Sequence, residues 1–445
     1  MAEPQAPWDV AIIGGGGAGL AVAARCLEAG RRVVLFERDR PGGSLRRAGT
    51  AEALRAAARQ ALLGGRAAPA APAAADDDLI APFLARGLTL VPASAHFVAP
   101  DRLEAAGRSY PFRKAVIASG STPAVPDIEG LATVPWLLPE ALPALEEPPD
   151  HLLILGGGAE AVALAQAHAL LGRRVSLVQP APNILPGFEL ELVVALREAL
   201  RRAGVALHEN SDVATVEHAG GGVALVLGGT ARLEGSHLVL AMDRVPRLSP
   251  LDLAAGRVDA TARGIAVRDD LRSASNPRVW AVGSAADTGA SDVAPGQHAA
   301  LVAATMLQGL RGEGGTVSAP RVARTLPALA QLGLTEAEAR GAGHDPQVLR
   351  VPLPDGLFGP GQAKLVADRQ GRLLGAALLA DEAGEVMAML ALAASRQMTG
   401  PEIAALPLPR GTLAETVARA AGNLRGPQFP SSPMQRILGA FHRRH

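Results

Sequence analysis

The sequence predicts an α/β protein with two dinucleotide-type Rossmann-like units followed by a smaller α+β domain. Three observations predict it. A strand-like run, a glycine turn, a helical run and a second strand occur in that order near residue 10 and again near residue 152. Each repeat fits one parallel βαβ unit. Beyond about Arg321 the texture changes to short strands, a tight turn and one more helix.

The first unit runs Asp9-Val10-Ala11-Ile12-Ile13, Gly14 to Gly19, an Ala-rich helix to Glu28, then the strand Val33 to Phe36 ending at Glu37. A helix-like run, Ala51 to Leu63, leads into a Pro-, Ala- and Asp-rich stretch to Asp78 that reads as a linker. Strands are expected at Leu88 to Val91 and Lys114 to Ala118. The second unit runs Leu152 to Leu155, Gly156-Gly157-Gly158-Ala159-Glu160-Ala161, a helix to Leu171, and the strand Val175 to Val178 ending at Gln179. A β-rich stretch, Gly222 to Leu240, precedes the strand around Val279 to Gly283 and a helix from about Gln297 to Leu310. In the last domain Thr335-Glu336-Ala337-Glu338 has capping-box spacing. Strands at Leu349 to Val351, Ala363 to Ala367 and Leu373 to Leu379 follow, the last two joined by a turn at Asp368 to Gly371. A helix from Gly384 to about Arg396 comes next.

Composition excludes several function classes. The 445 residues carry 43 basic and 43 acidic side chains, so nothing in the net charge favours nucleic acid or an anionic membrane. No apolar run is long enough to span a bilayer. The first strand begins so near the N-terminus that a signal peptide has no room, and a cytoplasmic protein is expected. One cysteine, Cys26, cannot form an intramolecular disulfide or a Cys-rich metal site. The histidines show no metal-ligand spacing, so no metal is expected.

The first glycine turn has the parts of an adenine-dinucleotide site. Gly14 makes the tight turn, Gly16 admits a pyrophosphate, Gly19 allows the helix to meet the strand, and Glu37 is placed for a ribose hydroxyl pair. In the second turn, Gly156 and Gly158 are kept, Ala161 replaces the third glycine, and Gln179 stands where an acid would accept from NAD. Two readings stay open there: a working NAD or NADP site, or a structural relic.

With these units, the chain resembles the pyridine nucleotide-disulfide oxidoreductase family, which includes dihydrolipoamide dehydrogenase, glutathione reductase and mercuric reductase. The matching stretches are Ile12 to Gly19 with Glu37, Pro41-Gly42-Gly43-Ser44, Ala118 to Pro123, the second glycine turn, Asn276 to Gly283, and Leu332 to Glu336. The resemblance covers essentially the whole chain. It implies an FAD domain over residues 1–148, an NAD(P)-binding-like domain over 149–268, a return to the FAD domain over 269–322, and a dimerisation domain over 323–445 that makes a homodimer. It also implies FAD contacts from Gly14, Gly16, Gly17, Ala18, Gly19, Glu37, Arg38, Gly43, Ser44, His96, Phe97, Ala118, Ser119, Gly120, Gly283 and Ser284. For His96 and Phe97 a main-chain role is implied.

The departures from the family fall on its chemistry. Leu45 and Thr50 stand near the positions of the redox cysteines, and Leu54 near the lysine beside the flavin. Cys26, on the first helix, is expected to be a packing residue. The C-terminal His-Pro-Thr-x-x-Glu motif reads Arg410-Gly411-Thr412-Leu413-Ala414-Glu415. Arginine cannot shuttle protons near neutral pH, so an Arg410–Glu415 ion pair is expected, with anion recognition as the alternative. Ser284 replaces an aspartate, with Asp287 expected too far along a helix to substitute, and Ala159 and Ala163 replace an aromatic gate and a glutamate. His298 aligns near the flavin as a contact or a plain helix-start residue. Arg46 and Arg47 could bind an anion or stabilise reduced flavin, or lie on a solvated face.

Two functions are therefore carried forward. One is an FAD-dependent, NAD(P)H-linked oxidoreductase without dithiol chemistry, passing electrons to a small acceptor. The other is a catalytically degenerate relative that serves as a scaffold or regulatory subunit for a protein partner.

Overall fold

In the computed structural model, the described residues are 6–63, 79–229, 231–288, 295–309 and 319–424. The expected linker before Asp78 and the basic C-terminal run Arg436 to His445 lie outside them. The chain divides into two compact units. One comprises the residues up to Pro186 with Ala203–Ala319; the other comprises Gly187–Arg202 and the chain from Pro320 onward.

The first unit holds both βαβ repeats. In the first repeat, Trp8–Ile13 pairs in parallel with Val33–Phe36 on one side and Arg108–Ile117 on the other. Thr89–Val91 extends the first edge, and Val279–Ala281 adds a parallel partner to Arg108–Ile117. Val10 to Ile13, Val33 to Phe36 and Ala115 to Ile117 read as unbroken apolar runs because both faces are covered there, and Ala11, Ile12, Val33 to Leu35 and Ala115 to Ile117 have no exposed surface. The helix Gly17–Glu28 buries Leu20, Val22, Ala23 and Cys26 against one face. On the other face lies the antiparallel meander formed by Ala95–Ala99, Arg102–Ala105 and Arg108–Ile117.

The second repeat is a four-stranded parallel sheet in the order Val205–Glu209, Arg174–Gln179, His151–Leu155, His237–Leu240. Its helix is Ala159–Leu170. Parallel strands need a crossover, and the helix following each glycine turn is that crossover. The helix after the Gly42-Gly43 loop starts earlier than the sequence suggested, at Ser44 rather than Ala51, and ends at Leu62.

The second unit is a five-stranded antiparallel sheet in the order Arg321–Ala323, Ala328–Gly333, Leu373–Ala380, Gly359–Ala367, Gln347–Gly356. Helices Ala383–Ser395 and Leu413–Ala421 pack on it through one apolar cluster. The capping box at Thr335 forms as read: its hydroxyl accepts from the Glu338 amide, and the Glu338 carboxylate accepts from the Thr335 amide at 2.8 Å. Helix Leu190–Arg202 also belongs to this unit.

Lys364 is buried in this unit within hydrogen-bond distance of Glu189 (2.8 Å), Glu191 (3.1 Å) and Glu336 (2.8 Å). Burial pushes its pKa down, but the three carboxylates outweigh that and hold it above its ordinary value.

Candidate functional site

The first glycine turn is shaped by contacts that leave no room for side chains at two of its three glycines. Gly14 has φ +107°, and a Cβ there would stand 2.3 Å from the Ala118 carbonyl oxygen. A Cβ on Gly19 would stand 2.0 Å from the Gly14 oxygen. Gly16 is different: its φ is −72°, and a Cβ there would meet no atom within 4 Å. That open space sits at the start of helix Gly17–Glu28, whose first-turn amides face it without any acidic side chain nearby in the turn.

Three other segments close around this turn. Gly42 donates its amide to the Gly15 carbonyl at 2.9 Å, and Gly43, at φ +47°, approaches Gly16 so closely that a Cβ would lie 3.2 Å from its Cα. Ala118-Ser119-Gly120 leaves the end of its strand beside Gly14. Gly283 lies against Ala18, 3.1 Å from its Cβ if it had one of its own, and donates its amide to Nδ1 of His298 at 2.8 Å. Thus most of the residues expected to contact FAD are brought together. Glu37 completes the cradle, accepting from the Gly15 amide at 2.7 Å and the Asp39 amide at 3.0 Å. A carboxylate has further lone pairs for hydroxyl donors.

Two buried polar atoms in this region have no protein partner, Oγ of Ser119 and Nε2 of His298. Burial pushes the His298 pKa down to about 4. The ring is therefore neutral, and because Nδ1 accepts, Nε2 carries the proton.

Several expectations are corrected. Asp287 is not on a helix but at the end of the short strand Ala286–Asp287, where it accepts from the Thr261 hydroxyl at 2.7 Å and pairs with Arg263 at 3.3 Å. Ser284, which supplies no carboxylate, is exposed. The Arg410–Glu415 ion pair does not form. Glu415 instead accepts from the Gly411 amide at 2.6 Å and pairs with Arg419 at 2.7 Å, one helical turn on.

The remaining candidates are scattered. Phe97 is fully buried, edge-on to Phe112 at 6.2 Å, and His96 faces Glu104 across the ladder. Arg38 is paired with Asp39 at 3.1 Å on the surface. Cys26 is buried, and desolvation pushes its thiol up to about 12, so it stays protonated. Ser44, Arg46 and Arg47 lie on the helix Ser44–Leu62, but their side chains fall outside the described residues.

Residues 8–306 match the model described as pyridine nucleotide-disulphide oxidoreductase, and residues 319–421 match its dimerisation domain. The chain belongs to this family. A mercuric reductase of Streptomyces lividans is 31% identical over 95% of this chain and 97% of its own length. A dihydrolipoyl dehydrogenase of Thermus scotoductus is 30% identical over 74% of this chain and 73% of its own. The solved structure of the flavoprotein disulfide reductase RclA from Escherichia coli superposes with a TM-score of 0.80 at 23% identity, covering 94% of this chain and all of that one, which establishes the common fold.

Family members bind FAD and NAD(P). With a single cysteine in the chain, the family's redox pair is absent. FAD fits the first turn: an open glycine, a helix start free of acids, Glu37, and unpartnered buried polar atoms beside it. Among the described residues no cluster of three His, Cys, Asp or Glu could hold a metal, and no helix is long and apolar enough to cross a membrane.

NAD(P) fits the second turn poorly. Its backbone repeats the first, with Gly156 at φ +124° and Gly158 open. Yet Glu160 stands in the first turn of the helix, and Gln179 gives its Nε2 to the Asn183 carbonyl at 3.3 Å. Glu160 was overlooked as a site residue, although an acid two places after a GxG turn is legible in the sequence.

Proposed function

We propose that this protein is an FAD-dependent oxidoreductase that has abandoned dithiol chemistry and passes electrons from the flavin to a small acceptor. The observation that carries the reading is the open Gly16 at a helix start, with three other segments closing around its turn. FAD would be held there by the amides of Gly16 to Ala18 and by Glu37, and it would supply the electron transfer that no side chain of this chain can. Ser119 and His298 would stand within the same cradle. Cys26 takes no part, since a buried thiol with a pKa near 12 is not a nucleophile. The reading includes a homodimer, supported by the match to the dimerisation domain. The flavin takes its two electrons from a hydride donor before passing them on; the resemblance implies NAD(P)H, and because the second turn suits that dinucleotide poorly, the reading takes as reductant a small organic hydride donor that reaches the flavin directly.

A second reading, a degenerate family member serving as scaffold or regulatory subunit, is favoured by one observation. Ser284 supplies no carboxylate, and Asp287 is engaged with Thr261 and Arg263.

The purified protein tests the choice. The first reading expects a yellow protein with stoichiometric FAD, whose photoreduced flavin is reoxidised at different rates by different small acceptors. A colourless protein that takes up no added FAD sinks it. Tight FAD with no acceptor preference, including under oxygen, leaves the second reading standing instead.

A further inference from the structure

We infer that a second copy of this chain seats on the outer face of helix Ala383–Ser395, the two copies of the helix running antiparallel across a two-fold axis. This rests on the homodimer in the reading above and names the surface that makes it. Every residue of the helix from Val386 to Ala394 is apolar. The five-stranded sheet accounts for only part of them: Ala383, Val386, Met387, Leu390 and Ala393 pack into its core. A helix that is apolar all round is one that is covered all round. Here the outer side is open, with Ala388 exposed and Leu392 61% exposed.

The pattern on that side fits a second copy. The helix lies inside residues 319–421, the stretch that matches the dimerisation domain. A two-fold interface sets a patch against its own image, so a patch of one sign of charge would repel itself. No charged residue stands between Glu385 and Arg396. Glu385, Leu392 and Arg396 follow at steps of seven and four, which places them on one line of the outer face.

The ends of that line carry opposite charges. Both Glu385 and Arg396 are exposed, and among the described residues neither forms an ion pair. Turning the helix end for end about an axis through its middle sets Glu385 against Arg396 of the partner subunit, and the same pair recurs on the other side of the axis. Leu392 then meets the small Ala388 of the partner subunit, at the apolar centre of an interface with a charged rim. The exposed Val194 makes a control: it is 52% exposed on helix Leu190–Arg202, flanked at helical spacing by Glu191 and Glu198.

Sedimentation equilibrium of the full chain over a dilution series tests this, with circular dichroism to check that each variant is folded. The unaltered chain should be a dimer. Leu392→Asp should weaken it at least about 30-fold, and Val194→Asp should leave its dissociation constant within about twofold. Glu385→Arg and Arg396→Glu should each weaken it about tenfold by setting like charges together, and the two combined in one chain should restore most of the loss. A monomeric unaltered chain overturns the inference together with the homodimer of the reading. A dimer that Leu392→Asp leaves intact overturns the surface and keeps the homodimer. Charge variants that leave the dimer unchanged, or weaken it without mutual rescue, overturn the antiparallel arrangement.

Discussion

The two glycine turns share a backbone and differ in what their side chains do with charge. Both place a glycine at strongly positive φ with its missing Cβ 2.3 Å from a carbonyl oxygen, that of Ala118 in one and Ala241 in the other. Both are closed by an amide donated to the second glycine's carbonyl, from Gly42 at 2.9 Å and from Leu185 at 2.7 Å. In the first turn the closing residue is itself a glycine at φ +119°; in the second it is a leucine forced to φ +53°. The acid at the end of the second strand is kept in one and amidated in the other. The comparison teaches that a βαβ fold constrains its glycines through packing, while ligand binding constrains the charges, and the two can part company.

The largest effect tests the shared half. Gly14→Ala and Gly156→Ala should each destabilise the protein by roughly 3 kcal/mol, since each forces both a disfavoured φ and a clash with backbone. Chemical denaturation checks it. A loss at Gly14 alone would break the claim that the turns are equivalent scaffolds.

A smaller effect on stability but a sharper one on function is expected one step along. Gly16→Ala and Gly158→Ala meet ordinary φ values and open space, so each should change stability by less than about 1 kcal/mol. Gly16→Ala should nevertheless weaken FAD on the order of 100-fold, because its methyl occupies the pyrophosphate's approach, and Gly158→Ala should leave FAD unchanged. Fluorescence titration of the apoprotein with FAD separates the two. Equal FAD affinity in both variants would remove Gly16 from the cofactor site.

What the sequence made legible follows the same division. Glycine spacing, the apolar strands and the capping box at Thr335 are local, and local geometry is written in short stretches of sequence. The Lys364 cluster was not legible, because Glu189 reaches it from 175 residues away in the chain. Arg410 failed as the partner of Glu415 for a related reason. Spacing along a helix favours i, i+4, and Arg419 holds that place while Arg410 precedes the helix. Asp287 was misread because its partners, Thr261 and Arg263, come from a hairpin with no motif of its own.

The smallest expected effect concerns two histidines, His298 beside the first turn and His168 on the helix that follows the second. Burial pushes both His298 and His168 down to about 4, and each has one buried ring nitrogen without a protein partner. A histidine whose folded pKa lies below its unfolded value near 6.5 leaves stability intact above that value. The unfolded chain then takes up the proton first, so stability falls as pH drops from about 6.5 toward 4, and no further below it. Both histidines should contribute to this loss, which denaturation at pH 7 and pH 5 would register. Only His298 adjoins the cradle, through the Gly283 amide that fixes its tautomer. FAD should therefore shift the ring nitrogen resonances of His298, while those of His168 stay in place. If both respond alike, or neither does, the asymmetry between the two turns does not extend to the residues behind them.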